Sequence, residues 1–267
     1  MRADLFFNSM RHAARLGIVA LGTWFASVDH AQAQAIVRLG SDDWCPFICA
    51  KSGRIVSGLL VEMTDQILQR AGLQSEPMLL PLNRAMLLAE RGEIDGVYAP
   101  AMDKRLIYSK PLVESRACFY TLTDSSWRFA GLTSLDGELI GAIDDYGYDA
   151  GPFDDLIELR KRMHSPWLRL ATGDAAGEKN IRMLLLGRLP VIIEHQAVAA
   201  RLFAAQGTAA AGRIREAGCL TSSLPLVIGV SKASGRSGEL IRALDAGIGE
   251  FRKTSAYADL LHKYIQP

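Results

Sequence analysis

Apolar positions along the chain fall into short blocks separated by polar turns and single glycines. Ile36-Val37-Arg38-Leu39 is a β-run stopped by Gly40. Leu60, Met63, Ile67 and Ala71 then recur at helical spacing, and Gly72 stands where a left-handed residue ends a helix. Met78-Leu79-Leu80 predicts a second strand. Asn83 is placed to cap a helix over 84–91, Gly92 ends it, and Ile94-Asp95-Gly96-Val97-Tyr98 predicts a third strand. This β-α-β-α-β order predicts a parallel sheet with helices on both faces.

A polar, turn-rich stretch over 124–136 precedes a second round of the same kind. Strands are predicted over 139–143, 167–170 and 191–193, with helices over 153–163 and 180–186 between them. One more strand over 224–230 and helices over 239–252 and 256–265 finish the chain. Two similar α/β halves, followed by a last strand and two helices, predict a chain that crosses from one lobe to the other and returns.

The N-terminus has a separate character. Arg2, Arg11 and Arg15 precede an apolar stretch over 16–28, and Ala31-Gln32-Ala33 follows. A charged region, an apolar core and a small-x-small site, in that order, describe a removable export signal over 1–33. The apolar core is shorter than the roughly 20 residues a spanning helix needs. The chain is therefore expected in the periplasm or outside the cell, starting near Gln34.

Composition narrows the partners. The chain has 30 Lys+Arg and 29 Asp+Glu, and removing Arg2, Arg11, Arg15, Asp4 and Asp29 leaves 27 of each. A balanced chain has no electrostatic case for nucleic acid or an anionic membrane surface. Cys45, Cys49, Cys118 and Cys219 all follow the signal, and an even count in an oxidising compartment points to disulfides. Cys45 and Cys49 can close a local loop, which leaves Cys118 for Cys219; buried free thiols are the alternative. The spacing fits no zinc pattern, and His164, His195 and His262 are far apart in sequence. No metal and no cofactor are expected.

The ordered segments Val37-Arg38-Leu39-Gly40 with Trp44-Cys45-Pro46-Phe47, Gly58 with Val61-Glu62-Met63, and Pro81-Leu82-Asn83-Arg84-Ala85 carry a resemblance. It continues through Gly92-Glu93-Ile94-Asp95-Gly96, Arg105 with Tyr108-Ser109-Lys110-Pro111-Leu112, Ile140-Gly141-Ala142 and Gly147-Tyr148, and ends with Asn180, the run 184–189 and the run 225–232. In this order and over essentially the whole processed chain, they resemble the family 3 solute-binding proteins, periplasmic receptors for polar amino acids and related solutes. The resemblance implies an α/β, type II periplasmic-binding-protein fold: two lobes with mostly parallel sheets joined by a two-strand hinge. Lobe 1 would hold 34–119 plus 226–267, and lobe 2 would hold 120–225. Hinge strands around 118–121 and 224–228 would place a Cys118–Cys219 bridge near the hinge, where it would limit travel. A monomer that closes around a small polar solute and presents it to an ABC-type permease is the implied function.

By the same resemblance, Arg105 would clamp a ligand carboxylate, which a planar guanidinium can grip with two parallel donors. Trp44, with Asp43 beside it, would cover the ligand, and Arg84 could supply a second cation. Asp144, Asp145, Tyr146 and Tyr148 follow a strand end and reach the cleft by the rule for open α/β sheets. Two aspartates there oppose the positive field a carboxylate needs. They fit a cationic ligand or a helix cap. His195 falls where relatives carry an aspartate for the ligand's amino group, with Glu194 one place before it; strand alternation lets only one of them face the cleft. Ala99-Pro100-Ala101-Met102 replaces the usual serine hydroxyls. Two other function classes stay open: a dehydratase of cyclic acids, with Glu194 as general acid, and a sensor module of a signalling system.

Overall fold

A computed structural model describes residues 34–265 except 103 and 174; the export signal read from the sequence lies outside the described residues. The chain begins with β1 (Ala35–Ser41), a hairpin of β2 (Cys49–Lys51) and β3 (Arg54–Ser57), α1 (Leu59–Arg70) and β4 (Leu73–Leu79). It continues through α2 (Leu82–Glu90), β5 (Gly96–Tyr98), β6 (Leu106–Tyr108) and β7 (Val113–Ser115). The second round is β8 (Ala117–Leu122), β9 (Ile140–Ile143), α3 (Pro152–Arg162), β10 (Leu168–Ala171), α4 (Ala176–Leu185) and β11 (Val191–His195). Then come α5 (Gln196–Ala205), a single turn α6 (Thr208–Ala211) and β12 (Ile214–Cys219). The chain closes with β13 (Leu224–Leu226), β14 (Ile228–Ser231), α7 (Ser237–Phe251) and α8 (Ser255–Tyr264).

Local signals explain the elements that the pattern predicted. Leu60, Met63 and Ile67 of α1 are fully buried, and Gly72, at φ 74°, donates its N–H to Gln69 O as the helix stops. Gly58 opens α1 at φ 134°, and a Cβ there would meet Phe47 O at 2.4 Å, so only glycine lets the helix start against the 44–48 loop. The Asn83 cap does not hold: α2 starts one turn-fragment earlier, after Pro81, whose carbonyl receives the Arg84 and Ala85 N–H groups. That frees the Asn83 side chain for another use.

The strands form two five-stranded sheets, ordered β4-β1-β5-β14-β6 and β10-β9-β11-β8-β12. In the first, β1 runs parallel to β4 and β5, and β14 is antiparallel to β5 and β6. In the second, β9 runs parallel to β10 and β11, and β8 is antiparallel to β11 and β12. The sheets are mostly parallel, as expected, with one antiparallel strand in each, β14 and β8, both next to the points where the chain crosses over. The crossing is an antiparallel ribbon of β7 and β13, with Leu224 opposite Ser115 and Leu226 opposite Val113. The predicted strand over 224–230 is therefore two strands, broken at Val227, whose carbonyl takes the Ala99 N–H. The predicted hinge strand around 118–121 is instead β8, inside the second sheet; the ribbon strand precedes it at Val113–Ser115.

Both faces of each sheet are covered, which is why β9 and the first three residues of β11, 191–193, carry no polar side chain. One core gathers Leu39, Phe47, Leu60, Tyr98, Ile228 and Phe251. Phe119, Ile140, Tyr148 and Phe153 pack on one face of the second sheet, and Ile181, Leu184 and Ile192 on the other. Both disulfides form: Cys45–Cys49 closes the loop after β1, and Cys118–Cys219 joins directly opposed residues of β8 and β12. The second bridge lies within one sheet and spans no crossing, so the expectation that it limits travel between lobes is withdrawn. No helix among the described residues is long and apolar enough to cross a membrane.

Candidate functional site

The carboxyl ends of strands from both sheets converge on a cavity of about 420 Å³, the position where open α/β sheets hold ligands. A second cavity of about 490 Å³ adjoins it, and the two share Asp42, Trp44, Leu82, Asn83, Asp145 and Tyr146 as a partition. Of the candidates named from the sequence, Asp43, Trp44, Asp144, Tyr146 and Glu194 line the first cavity. Arg105 lines only the second. Arg84, Tyr148 and His195 line neither.

Trp44 is positioned by its loop. Its N–H donates to Ile48 O at 2.8 Å, its carbonyl receives the Phe47 and Ile48 N–H groups, and the adjacent Cys45–Cys49 bridge closes the turn around a cis Cys45–Pro46 bond. Asp43 Oδ1 fastens the same loop by accepting the Ala50 N–H at 3.0 Å. The indole packs on Phe47 (4.7 Å between centroids) and meets the rings of Tyr146 (6.0 Å) and His195 (5.0 Å) at near right angles. Its Nε1 is buried with no hydrogen-bond partner among the described residues.

From the second sheet, the segment after β9 brings Asp144, Asp145 and Tyr146. Lys161 of α3 reaches back to both aspartates, at 2.5 Å to Asp144 and 3.4 Å to Asp145. Asp145 sits at φ 64°, a left-handed conformation an aspartate tolerates better than most residues. Its other oxygen accepts the Asn83 side-chain N–H at 2.7 Å, a direct bond between the two sides of the cleft. The aspartates that cap α3 are different ones. Asp149 accepts the Gly151, Phe153 and Asp154 N–H groups, and Asp154 accepts those of Tyr148, Asp149 and Ala150.

Glu194 and His195 end β11, both buried, and alternation separates them as expected. Glu194 faces the first cavity. Its Oε1 accepts the His195 N–H at 2.9 Å, and its Oε2 has no hydrogen-bond partner among the described residues. Burial, with Glu178 nearby, pushes its carboxyl up to about 8, although the His195 N–H works the other way. His195 points away from that cavity. Its Nε2 lies 2.9 Å from Gly147 O, and because a carbonyl only accepts, this nitrogen carries the proton; Nδ1 then accepts the Ser115 hydroxyl at 2.8 Å. Burial lowers the ring to about 4, which keeps it neutral. It ties β11 to the connecting ribbon and to the loop after β9, and stacks on Tyr148. Tyr148 itself is fully buried, with its hydroxyl accepting the Ile143 N–H.

Six carboxyl groups line the first cavity: Asp42, Asp43, Asp144, Asp145, Glu178 and Glu194. Arg201, exposed on α5, is the one cationic side chain lining it among the described residues. The Tyr146 hydroxyl reports the sign of this field: burial first, then Asp42, Glu194, Tyr148 and Asp43, all raise its pKa. Glu178, Arg201 and Gly177 had no signal in the sequence pattern, since α4 begins before its predicted start and α5 was not predicted at all. Asn83 was visible only as a cap. As for a metal, Cys118, Glu216 and Cys219 have metal-ligand proximity, but the two sulfurs are bonded to each other.

No protein-family model and no curated protein matches the sequence. Solved structures do match. A histidine kinase sensor domain with similarity to periplasmic binding proteins is 18% identical with a TM-score of 0.70, covering 87% of this chain and 96% of its own. An ancestral arginine-binding protein bound to arginine is 18% identical at TM-score 0.67, covering 87% and 99%. An ancestral amino-acid-binding protein, a precursor of cyclohexadienyl dehydratase, is 15% identical at 0.64, covering 86% and 95%. At such identities the likeness establishes the fold, which is that of the periplasmic binding proteins.

Proposed function

We propose that this chain, exported and processed near Ala33, is a periplasmic solute-binding receptor. Its lobes, 34–119 with 226–267 and 120–225, close on a small polar solute in the cleft. The observation that carries this reading is the cavity itself: it lies at strand ends of both sheets, and Asn83–Asp145 and Trp44–Tyr146 contacts bridge it. The β7–β13 ribbon is the natural pivot for such closure. The arginine- and amino-acid-binding proteins of the same fold support a small nitrogenous solute. We propose delivery to an ABC-type permease by a monomer; the sensor-domain likeness supports signalling as the second use of the same binding event.

The enzyme reading has one specific support, a buried Glu194 that holds its proton at neutral pH and could act as general acid. Thermal shift of 34–267 with amino acids, amines and cyclic acids separates these. A receptor gains stability by mass action, about 2.7 kcal/mol at a hundred times the dissociation constant, and returns the ligand unaltered. Consumption of the ligand would establish the enzyme instead.

A further inference from the structure

We infer that the solute this cleft takes carries net positive charge, an amine or guanidinium without a compensating carboxylate. The inference rests on the receptor reading and sharpens it. The acidic lining is the first observation, and alone it would be only an acidic cluster. The second is independent: Glu194, 3% exposed, presents to the cavity a carboxyl oxygen that accepts no hydrogen bond from the described residues. With Oε1 taken by the His195 N–H, Oε2 is left open to the cavity, where a donor carried by the solute can reach it.

The space above it is kept open. A Cβ on Gly177 would stand 3.4 Å from Glu194 Oε2 and 2.8 Å from Leu202 Cδ1. Trp44 and Tyr146 in the lining are ring types whose faces attract ammonium and guanidinium groups. No cationic side chain is buried in this cavity to grip a carboxylate, and the Trp44 Nε1, the one buried side-chain donor of its lining without a partner among the described residues, is neutral. Arg84 is exposed outside both cavities, Arg105 faces the second, and Arg201 stands exposed at the rim of the first. The titratable groups around Glu194 are Glu178 from α4, Tyr120 from β8, Tyr146 and Tyr148 from the segment after β9, His195 beside it and Arg201 from α5. With His195 held neutral, Arg201 is the one cation among them, and it forms no ion pair with Glu194 among the described residues.

The test is calorimetry and thermal shift of 34–267 with agmatine, putrescine, arginine, glutamate and succinate. Agmatine or putrescine should bind, arginine no more tightly than agmatine, and glutamate and succinate not at all. Binding of glutamate or succinate, or arginine at least tenfold tighter than agmatine, would leave the receptor standing and overturn the inference. Silence from all five would remove both.

Two variants bear on the residues. Glu194→Gln keeps the shape and should cost agmatine on the order of thirtyfold or more in affinity, as expected when one partner of a buried charge pair is removed. Arg201→Ala should raise agmatine affinity about twofold to threefold by removing a like charge from the cavity lining. Unchanged agmatine affinity in Glu194→Gln, or a tenfold loss in Arg201→Ala, would overturn the assignment.

Discussion

On the first-sheet side of the cleft, Trp44 is pinned by a covalently closed five-residue turn, backbone hydrogen bonds and the Phe47 ring. On the second-sheet side, the groups carry charge: a buried carboxyl, two aspartates held by Lys161, and a tyrosine whose hydroxyl lies in a negative field. Backbone strain also collects around the cavities, at Asp145 (φ 64°) and, lining the second cavity, Ala99 (φ 42°). The contrast separates two requirements of recognition. The first wall holds a stiffly fastened aromatic beside Asp42 and Asp43, and the opposite wall adds the deeply buried carboxyl of Glu194.

Breaking either wall by its disulfide should show that division. Loss of Cys118–Cys219, whose partners are 101 residues apart, should give the larger stability loss, about 4.7 kcal/mol by loop-closure entropy. Its Cys118 sits opposite Glu194 in the β8–β11 pairing, but those strands stay hydrogen-bonded without the bridge, so agmatine affinity should fall no more than about threefold. Loss of Cys45–Cys49, only four apart, should cost about 2 kcal/mol by the same relation. It should nevertheless weaken agmatine about tenfold, because the freed Trp44 must be ordered on binding. Urea unfolding and calorimetry of the two Cys→Ser pairs measure both quantities; equal effects on affinity would erase the contrast.

The charged wall has its own pH signature. Glu194 in the folded protein lies near 8, above its ordinary 4.5, so its contribution to stability is full below about 4.5 and is lost as pH rises through about 8. His195 lies near 4, below its ordinary 6.5, so its contribution is present above about 6.5 and is lost as pH falls through about 4. Urea midpoints across that range should therefore fall on both limbs. Glu194→Gln should flatten the alkaline limb and keep the acid one; loss of both limbs together would contradict the separate assignments. The smallest effect is expected from Arg105→Ala, less than about twofold on agmatine, since its charge faces the second cavity and is screened by solvent. A large loss there would restore a carboxylate clamp.

Much of this was legible in the chain itself. The helical spacing of Leu60, Met63 and Ile67 with Gly72 after it located α1, because one buried stripe and one left-handed stop suffice to define a helix. Short elements were not legible. The β2–β3 hairpin, β6 and β7 are three or four residues each, too few to show a period. At the site, alternation announced that Glu194 and His195 would part, but which one met the cavity depended on Ser115 and Gly147, 80 and 48 residues from His195 in sequence. The use of Asn83 across the cleft was hidden for the same reason: its partner, Asp145, is 62 residues away.

The most direct measurement is titration calorimetry of agmatine into 34–267 at about pH 7, in two buffers of different ionisation enthalpy. Glu194, protonated before binding, should give up its proton to the buffer as its carboxylate takes the cation, so the apparent heats should differ by the buffers' ionisation enthalpies times the protons released. Binding with release approaching one proton, abolished in Glu194→Gln, is the predicted result. Agmatine binding with no proton release and unchanged affinity in that variant would contradict the account.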